Sequence, residues 1–540
     1  MREKHSDNKE EKLKKKEARK EAHERVERKS SRRNSMLRFF FTVVGISLEI
    51  GLIFAGFNVL NDKYEIISIL TRVAGMLLVF YIYSKPKTSA LKTPWMVLIL
   101  VVPVFGILMY FLIGLNGATR KMKARFNEID HKLFPILHQK ASTAYTLRKE
   151  DKSLQNLSGY LMNYSNFPVY QNTDVTYYSD AAKALEAQKE ALKSAKKFIF
   201  MEYYAIEDRE SWAGIEEILK EKAAEGLTVR VFYDDMGSIQ FLTKSFRNRL
   251  ESEGIHCRVF NPFFPGLNAF LNNRDHRKIT VIDGLIGFTG GYNIANEYFN
   301  ITHPYGYWKD TGIKIVGDGV KNLTVMFLEM WNAIRSNDID DNDFSEFFPE
   351  TNYQAHEKEG FVQPYGDSPL DNETVGENVY LALAGISRKY LWLMTPYLII
   401  TNEMTRTLRL AAKSGVDVRI ITPGIPDKKM IYRVTQSYYK PLVDGGVRIF
   451  EYTPGFTHGK MAITDDKAAV CGTINLDYRS FYHHFEDSCL IMNKNAVFDI
   501  RDDFEKTFAE CREVTEEYRS GKSRAMDFGQ VILRMFAGLF

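Results

Sequence analysis

The chain of 540 residues is long enough for more than one domain and a large buried core. Its formal charge of +4 is unevenly placed: residues 1–36 hold 14 Lys/Arg against 8 Asp/Glu, a balance of +6, which leaves −2 for the remainder. The basicity belongs to a tail, so the near-neutral body excludes a broad nucleic-acid-binding face.

In chain order, residues 1–36 fit either a solvated disordered arm or an arm that binds anionic lipid. Three apolar segments follow, at 37–60, 66–83 and 95–115. Each approaches the roughly 20 residues that cross a hydrocarbon core of about 30 Å. The first is too long for a signal-peptide core, so three retained transmembrane helices and a multi-pass position in the cell membrane are expected. Two charges lie inside these spans. Either Glu49 and Arg72 pair between the first two helices, or Arg72 snorkels to the headgroups and Glu49 stays protonated. The basic tail with Lys85, Lys87 and Lys92 favours one orientation; Arg120, Lys121, Lys123 and Arg125 favour the other.

Residues 116–165, with mixed charge and scattered Phe, Leu and Tyr, predict a helical linker. Beyond them the pattern alternates. KFIFMEYYAI (197–206) reads as a buried strand, SWAGIEEILKEKAAEG (211–226) as an amphipathic helix and LTVRVFYDD (227–235) as the next strand. GIHCRVFNP (254–262) and HRKITVID (276–283) continue the sheet. The theme then returns in YLWLMTPYLII (390–400), EMTRTLRLAAKSG (403–415), VDVRIITPG (416–424), GGVRIFEYTPG (445–455) and HGKMAITD (458–465). A repeat of roughly 180 residues is too long for a solenoid unit. It predicts two tandem α/β domains, 166–345 and 346–520, packed as a pseudo-dimer behind an α-helical transmembrane anchor. The last stretch, 521–540, puts Val531, Ile532, Met535, Phe536, Leu539 and Phe540 on one helical face, for lipid or for core packing. Cys257, Cys471, Cys489 and Cys511 form no CxxC pair or zinc spacing and read as buried free thiols.

The repeat carries one pattern twice in register, His-x-Lys-x4-Asp-x6-Gly-x2-Asn. The first copy is His276, Lys278, Asp283, Gly290 and Asn293; the second is His458, Lys460, Asp465, Gly472 and Asn475. Residues two apart on a strand share a face, so each Lys stands beside its His. Arg277 alternates off that face and reads as an ion-pair partner, and Gly459 as a point of close backbone or substrate approach. Glu202 and Asp235 end buried strands, where a headgroup contact and an internal salt bridge or cap are both open. His483 and His484 lack the motif spacing and read as peripheral.

This pattern is the HKD signature of the phospholipase D superfamily. With MEYYAIED, YDDMGS, HRKITVIDGLIGFTGGYNIANEY, HGKMAITDDKAAVCGTINLDYRSF and TPWMVLILVVPVFGILMYFLIG, the chain resembles bacterial cardiolipin synthases nearly end to end. The basic tail and first span lie outside the usual two-span pattern. The resemblance implies two phospholipase D-like domains and transfer of a phosphatidyl group from phosphatidylglycerol through a phosphohistidine. Another transphosphatidylase, or a hydrolytic phospholipase D acting on membrane phospholipid, is the alternative. One histidine attacks and the other serves as acid and base, roles suited to a pKa near neutrality. The resemblance favours His276 as nucleophile. Lys278, Lys460, Asn293 and Asn475 would hold the phosphate; Asp283 and Asp465 count among the catalytic residues as members of the motif, although at its far end they read more as braces of the loop structure. Also by resemblance, Asp310 in YWKDTG orients His276 and Glu486 in HHFEDS orients His458. The scheme expects phospholipid and the membrane as partners, with no metal, organic cofactor or nucleic acid. It leaves the oligomeric state open.

Overall fold

The computed structural model describes residues 51, 65–85, 88–111, 117–242, 244–262, 273–334, 343–371, 373–520, 528–535 and 537. The first sheet comprises β1 (Thr173–Tyr178), β2 (Phe198–Tyr203), β3 (Thr228–Asp234), β4 (His256–Phe260), β6 (Lys278–Ile282), β7 (Ile286–Gly290) and β9 (Gly312–Gly317), after the short β5 (Arg274–Asp275) and β8 (Tyr307–Lys309) are set aside. Its order is β1-β9-β7-β6-β2-β3-β4. β2, β3 and β4 run parallel. Crossover helices, Glu210–Ala224 and Lys244–Ser252, separate them in sequence, as parallel pairing requires. A short turn joins β6 to β7, and β6, β7 and β9 run antiparallel.

The second half repeats this plan with β10 (Phe361–Asp367), β11 (Tyr390–Met394), β12 (Leu398–Ile399), β13 (Asp417–Pro423), β14 (Arg448–Tyr452), β15 (Gly455–Thr457), β16 (Met461–Thr464), β17 (Ala468–Gly472), β18 (Leu476–Asp477), β19 (His484–Met492) and β20 (Cys511–Glu513). The order is β10-β19-β17-β16-β11-β13-β14-β20. Both motif strands, β6 and β16, are therefore interior strands buried along their length. This is a tandem pair of α/β domains.

Short strands lock the halves together. β5 of the first half pairs in parallel with β19 of the second, and β15 of the second pairs in parallel with β8 of the first. Behind them, helix Val320–Ala333 packs against the first sheet, β10 and the linker helix Gly117–Leu133, and is buried on every side. A polar residue survives inside it because its bonds are made: Asn322 Nδ2 donates to Pro168 O and Pro364 O. Two further helices, Ala141–Glu150 and Lys152–Ser165, complete the linker segment.

The N-terminal expectations fare differently. Residues 1–36 and the span 37–60 except Gly51 lie outside the described residues, and with Glu49 among them only the Arg72 half of that expected pair is described, exposed on its helix. The second apolar segment forms helix Glu65–Ser84, with Leu70, Leu77 and Phe80 exposed. The third is not one continuous span. It breaks between Ser89–Val101 and Pro103–Met109, because Pro103 lacks the N–H that would continue the helix. Gly106 lets the second piece fold back onto the first: a Cβ there would lie 2.6 Å from Ile99 Cα. Among the described residues, no helix is long and apolar enough to cross a membrane. At the other end, helix Phe528–Met535 packs on helix Lys429–Val443. Arg534 lies 4.3 Å over the Tyr438 ring, and Met535 is partly exposed. The side chains of Val531, Ile532, Phe536, Leu539 and Phe540 lie outside the described residues.

The motif aspartates close their strands from positive φ, 55° at Asp283 and 54° at Asp465. Asp283 accepts from the backbone N–H groups of Lys196, Lys197 and Phe198. Asp465 does the same for Arg388, Lys389 and Tyr390. Each carboxylate ties the start of a neighbouring strand to the end of the motif strand, and neither reaches the histidines. Asp465→Ala should therefore lower the unfolding free energy by about 2–4 kcal/mol, the scale of lost charge-assisted bonds, read by chemical denaturation. An effect below about 0.5 kcal/mol would show that the brace carries no stability.

Candidate active site

The exchanged short strands deliver the two histidines to one place. His276 follows β5, and its N–H donates to Phe485 O at 2.9 Å. His458 follows β15, and its N–H donates to Lys309 O at 2.7 Å. Each acceptor carbonyl belongs to the residue just before a carboxylate in the other half, so those carboxylates arrive beside the histidines. His276 Nδ1 lies 2.9 Å from Glu486, and His458 Nδ1 lies 2.6 Å from Asp310.

This corrects the expected pairing: Asp310 serves His458 and Glu486 serves His276. Sequence proximity suggested partners within one domain, whereas β5–β19 and β8–β15 pairing exchanges them. With both carboxylates buried as acceptors, each Nδ1 carries the proton; Nε2 of His276 is left for chemistry, and Nε2 of His458 accepts from Lys460 Nζ at 2.9 Å. Thr473 Oγ1 donates to Glu486 at 2.5 Å. The first copy has Gly291 where the second has Thr473. The shorter Asp310 approaches the backbone there, and a Cβ on Gly291 would collide with its side chain.

Lys278 Nζ donates to His276 O at 2.6 Å, and Lys460 Nζ donates to His458 O at 2.5 Å. Burial shapes every charge in this group. It pulls Lys278 down to about 8 and Lys460 down to about 7. Burial, reinforced by the lysines, holds both histidines well below their usual range, so both imidazoles are neutral. It also raises Asp310 to about 7, against the pull of Lys460.

The two histidines open into a cavity of about 360 Å³ that Asn293 and Asn475 also line. Asn293 is held by Ala205 N–H and donates to Tyr298 OH at 2.8 Å. Asn475 Oδ1 is buried without a partner among the described residues. Tyr298 and Trp308 wall His458, with ring centroids 5.1 and 5.4 Å away.

Other expectations need revision. His484 is not peripheral: it is buried, lines the cavity and lies beside His276, with ring centroids 5.4 Å apart. It starts β19 next to the exchanged β5, a position no motif spacing marks. Arg277 makes a buried network with Glu202 at 2.8 Å, Asp275 and Glu329, which resolves Glu202 as an internal salt-bridge partner. Asp235 lies outside the cavity lining. Gly459 makes room for protein: a Cβ there would sit 2.8 Å from Met394 Sδ. Asp487, unmarked in the sequence reading, receives Lys278 N–H and Thr289 Oγ1 and so ties the halves beneath the site. Asp427, Lys428, Asp477 and Arg479 are further charged residues of the cavity wall. The four cysteines are free, three buried and Cys511 partly so. Among the described residues, His276, His484 and Glu486 bring ligand atoms within 4.8 Å of one another. A metal held there would have to take Glu486 from His276 Nδ1.

Residues 189–331 and 381–509 match the family described as cardiolipin synthase, PLD-like domain, and residues 73–114 match the phospholipase D-nuclease N-terminal family. The chain is 31% identical over 445 residues to cardiolipin synthase 2 of Bacillus anthracis, covering 82% of this chain and 85% of that one. It is 30% identical over 508 residues to cardiolipin synthase 1 of Bacillus cereus, covering 91% and 97%. An uncharacterized protein of Streptococcus mutans is 41% identical over 81% of this chain and 94% of its own. The crystal structure of phosphatidylserine synthase from Haemophilus influenzae shares the fold, with a TM-score of 0.52 and 16% identity over 72% of this chain and 97% of that one. The chain belongs to the phospholipase D-like cardiolipin synthase family and is a phosphatidyltransferase of that superfamily.

Proposed function

We propose that the protein joins two phosphatidylglycerol molecules into cardiolipin and glycerol at a bilayer surface, with 166–345 and 346–520 as its catalytic halves and the N-terminal apolar segments as its membrane anchor. The observation that carries this reading is the pair of histidines in one cavity, each oriented by a buried carboxylate of the other half.

His276 Nε2 attacks phosphorus while the bond from phosphorus to the glycerol oxygen breaks, and His458 Nε2–H gives that oxygen its proton. Glycerol leaves, and the phosphatidyl group remains on His276. The hydroxyl of a second phosphatidylglycerol then returns a proton to His458 Nε2 as its oxygen attacks phosphorus and the P–N bond breaks. Cardiolipin leaves with both histidines restored. Splitting the displacement this way lets an alcohol, rather than water, take the group.

Charge makes the roles compatible. Both histidines start neutral, as a nucleophile must. A bound phosphodiester offsets the lysines and raises the proton affinity of His458, which equips it as acid. Lys278 and Lys460 turn from the backbone carbonyls to the phosphoryl oxygens, with Asn293 and Asn475 as neutral donors.

Detergent-purified protein given phosphatidylglycerol in EDTA should release cardiolipin and glycerol in equal amounts, and His276→Ala should abolish both. Phosphatidic acid as the main product would instead make water the acceptor. Because the lysines titrate near 8 and 7 in the free protein, substrate binding above pH 7 must take up protons. KM should rise more steeply above about pH 7 than below it, by up to about tenfold per pH unit for each lysine that must be reprotonated, as initial rates between pH 6 and 9 would show. A KM level across that range would contradict the phosphate-clamp role.

A further inference from the structure

The proposed reaction brings two anionic phosphodiesters to one cavity, and the following inference rests on that reading. Lys278 and Lys460 sit directly beside the histidines, at the phosphorus being transferred. The acceptor lipid carries a second phosphate, set off from its reacting hydroxyl by a three-carbon glycerol. That phosphate needs its own cation, one step farther from His458.

Two more cations line the cavity. Arg479 belongs to the His276 side, where its Nε donates to His484 Nε2 at 3.3 Å. Lys428 belongs to the His458 side. Its Nζ lies 5.2 Å over the Tyr397 ring; Tyr397 neighbours Phe456 at 6.3 Å, and Phe456 neighbours His458 at 5.9 Å. Two aromatic rings, Tyr397 and Phe456, thus link Lys428 to the histidine that activates the acceptor.

We propose that the cavity mouth around Lys428 is an acceptor subsite, which takes the anionic phosphodiester of the second lipid while that lipid's hydroxyl reaches His458. The Lys428 side chain is 64% exposed, and its ion pair with Asp427 is long, at 3.7 Å. Asp427 already receives the Tyr397 hydroxyl at 2.6 Å, so Lys428 can turn to a ligand without leaving that carboxylate bare. Residues 427–433, DKKMIYR, set three cations against one carboxylate. Helix Lys429–Val443 also begins here with Lys428 as N-cap and no side-chain cap, which adds the positive end of its dipole. Deeper in the same cavity, Asn475 Oδ1 is buried without a hydrogen-bond partner among the described residues, which points to a ligand donor group between it and the mouth. Flanking Lys428 in sequence, Ile425 and Met430 are 41% and 51% exposed, an apolar margin for acyl chains.

The test is an internal competition in the full-length protein, with phosphatidylglycerol as donor and labelled free glycerol added. Cardiolipin reports an acceptor with a phosphate, and labelled phosphatidylglycerol reports one without. Lys428→Glu should lower the ratio of cardiolipin to labelled phosphatidylglycerol by about tenfold or more, while Lys428→Arg should hold it within about twofold. Glycerol 3-phosphate in place of glycerol separates phosphate recognition from lipid recognition. Its use as an acceptor should fall in Lys428→Glu alongside cardiolipin, and a loss confined to the lipid would overturn the phosphate role. Products formed at an unchanged ratio in Lys428→Glu would overturn the subsite alone. Neither product from the wild-type protein would overturn the proposed function and the subsite with it.

Discussion

Everything at the candidate site depends on one exchange: each half of the molecule supplies a histidine to the other half's carboxylate. Two short parallel pairings, β5 with β19 and β8 with β15, impose it. Because each histidine's own N–H is held by the residue preceding its carboxylate partner, backbone and side chain are fixed by the same contact. Separating the halves would therefore cost both histidines their tautomer as well as their position. A pseudo-dimer in one chain makes the site without requiring a second copy.

The exchange also concentrates charge where water is scarce. Carboxylates, lysines and histidines lie together with almost no exposure. An isolated ion there would be costly, so proton positions shift until charges are few and paired. The histidines stay neutral, the lysines weaken toward 7 and 8, and Asp310 rises to about 7. Such a site binds a phosphodiester anion by completing its own charge balance. Beneath it, the Arg277 network and Asp487 hold the motif strand against both halves.

Much of this was legible in the sequence. The doubled His-x-Lys motif, the alternation of strands and helices and the repeat in register identified the fold, both histidines and both lysines. The far-end role of Asp283 and Asp465 followed from their distance along the strand. The partners of the histidines were not legible, because two related copies look alike whether partners are exchanged or kept. The strands that decide the matter, Arg274–Asp275 and Gly455–Thr457, are too short for any hydrophobic period to register. His484 reached the cavity through that same pairing. Hydropathy alone also overlooked what Pro103 and Gly106 do to the third apolar segment.

The measurement that bears most directly on the account is where the covalent intermediate forms. Protein mixed with labelled phosphatidylglycerol would be quenched in alkali, which preserves phosphohistidine, and mapped by mass spectrometry. The phosphatidyl group should be on His276, and Glu486→Gln should slow its appearance even though that carboxylate lies in the other half. Label on His458, or on no histidine while cardiolipin is being made, would contradict the account.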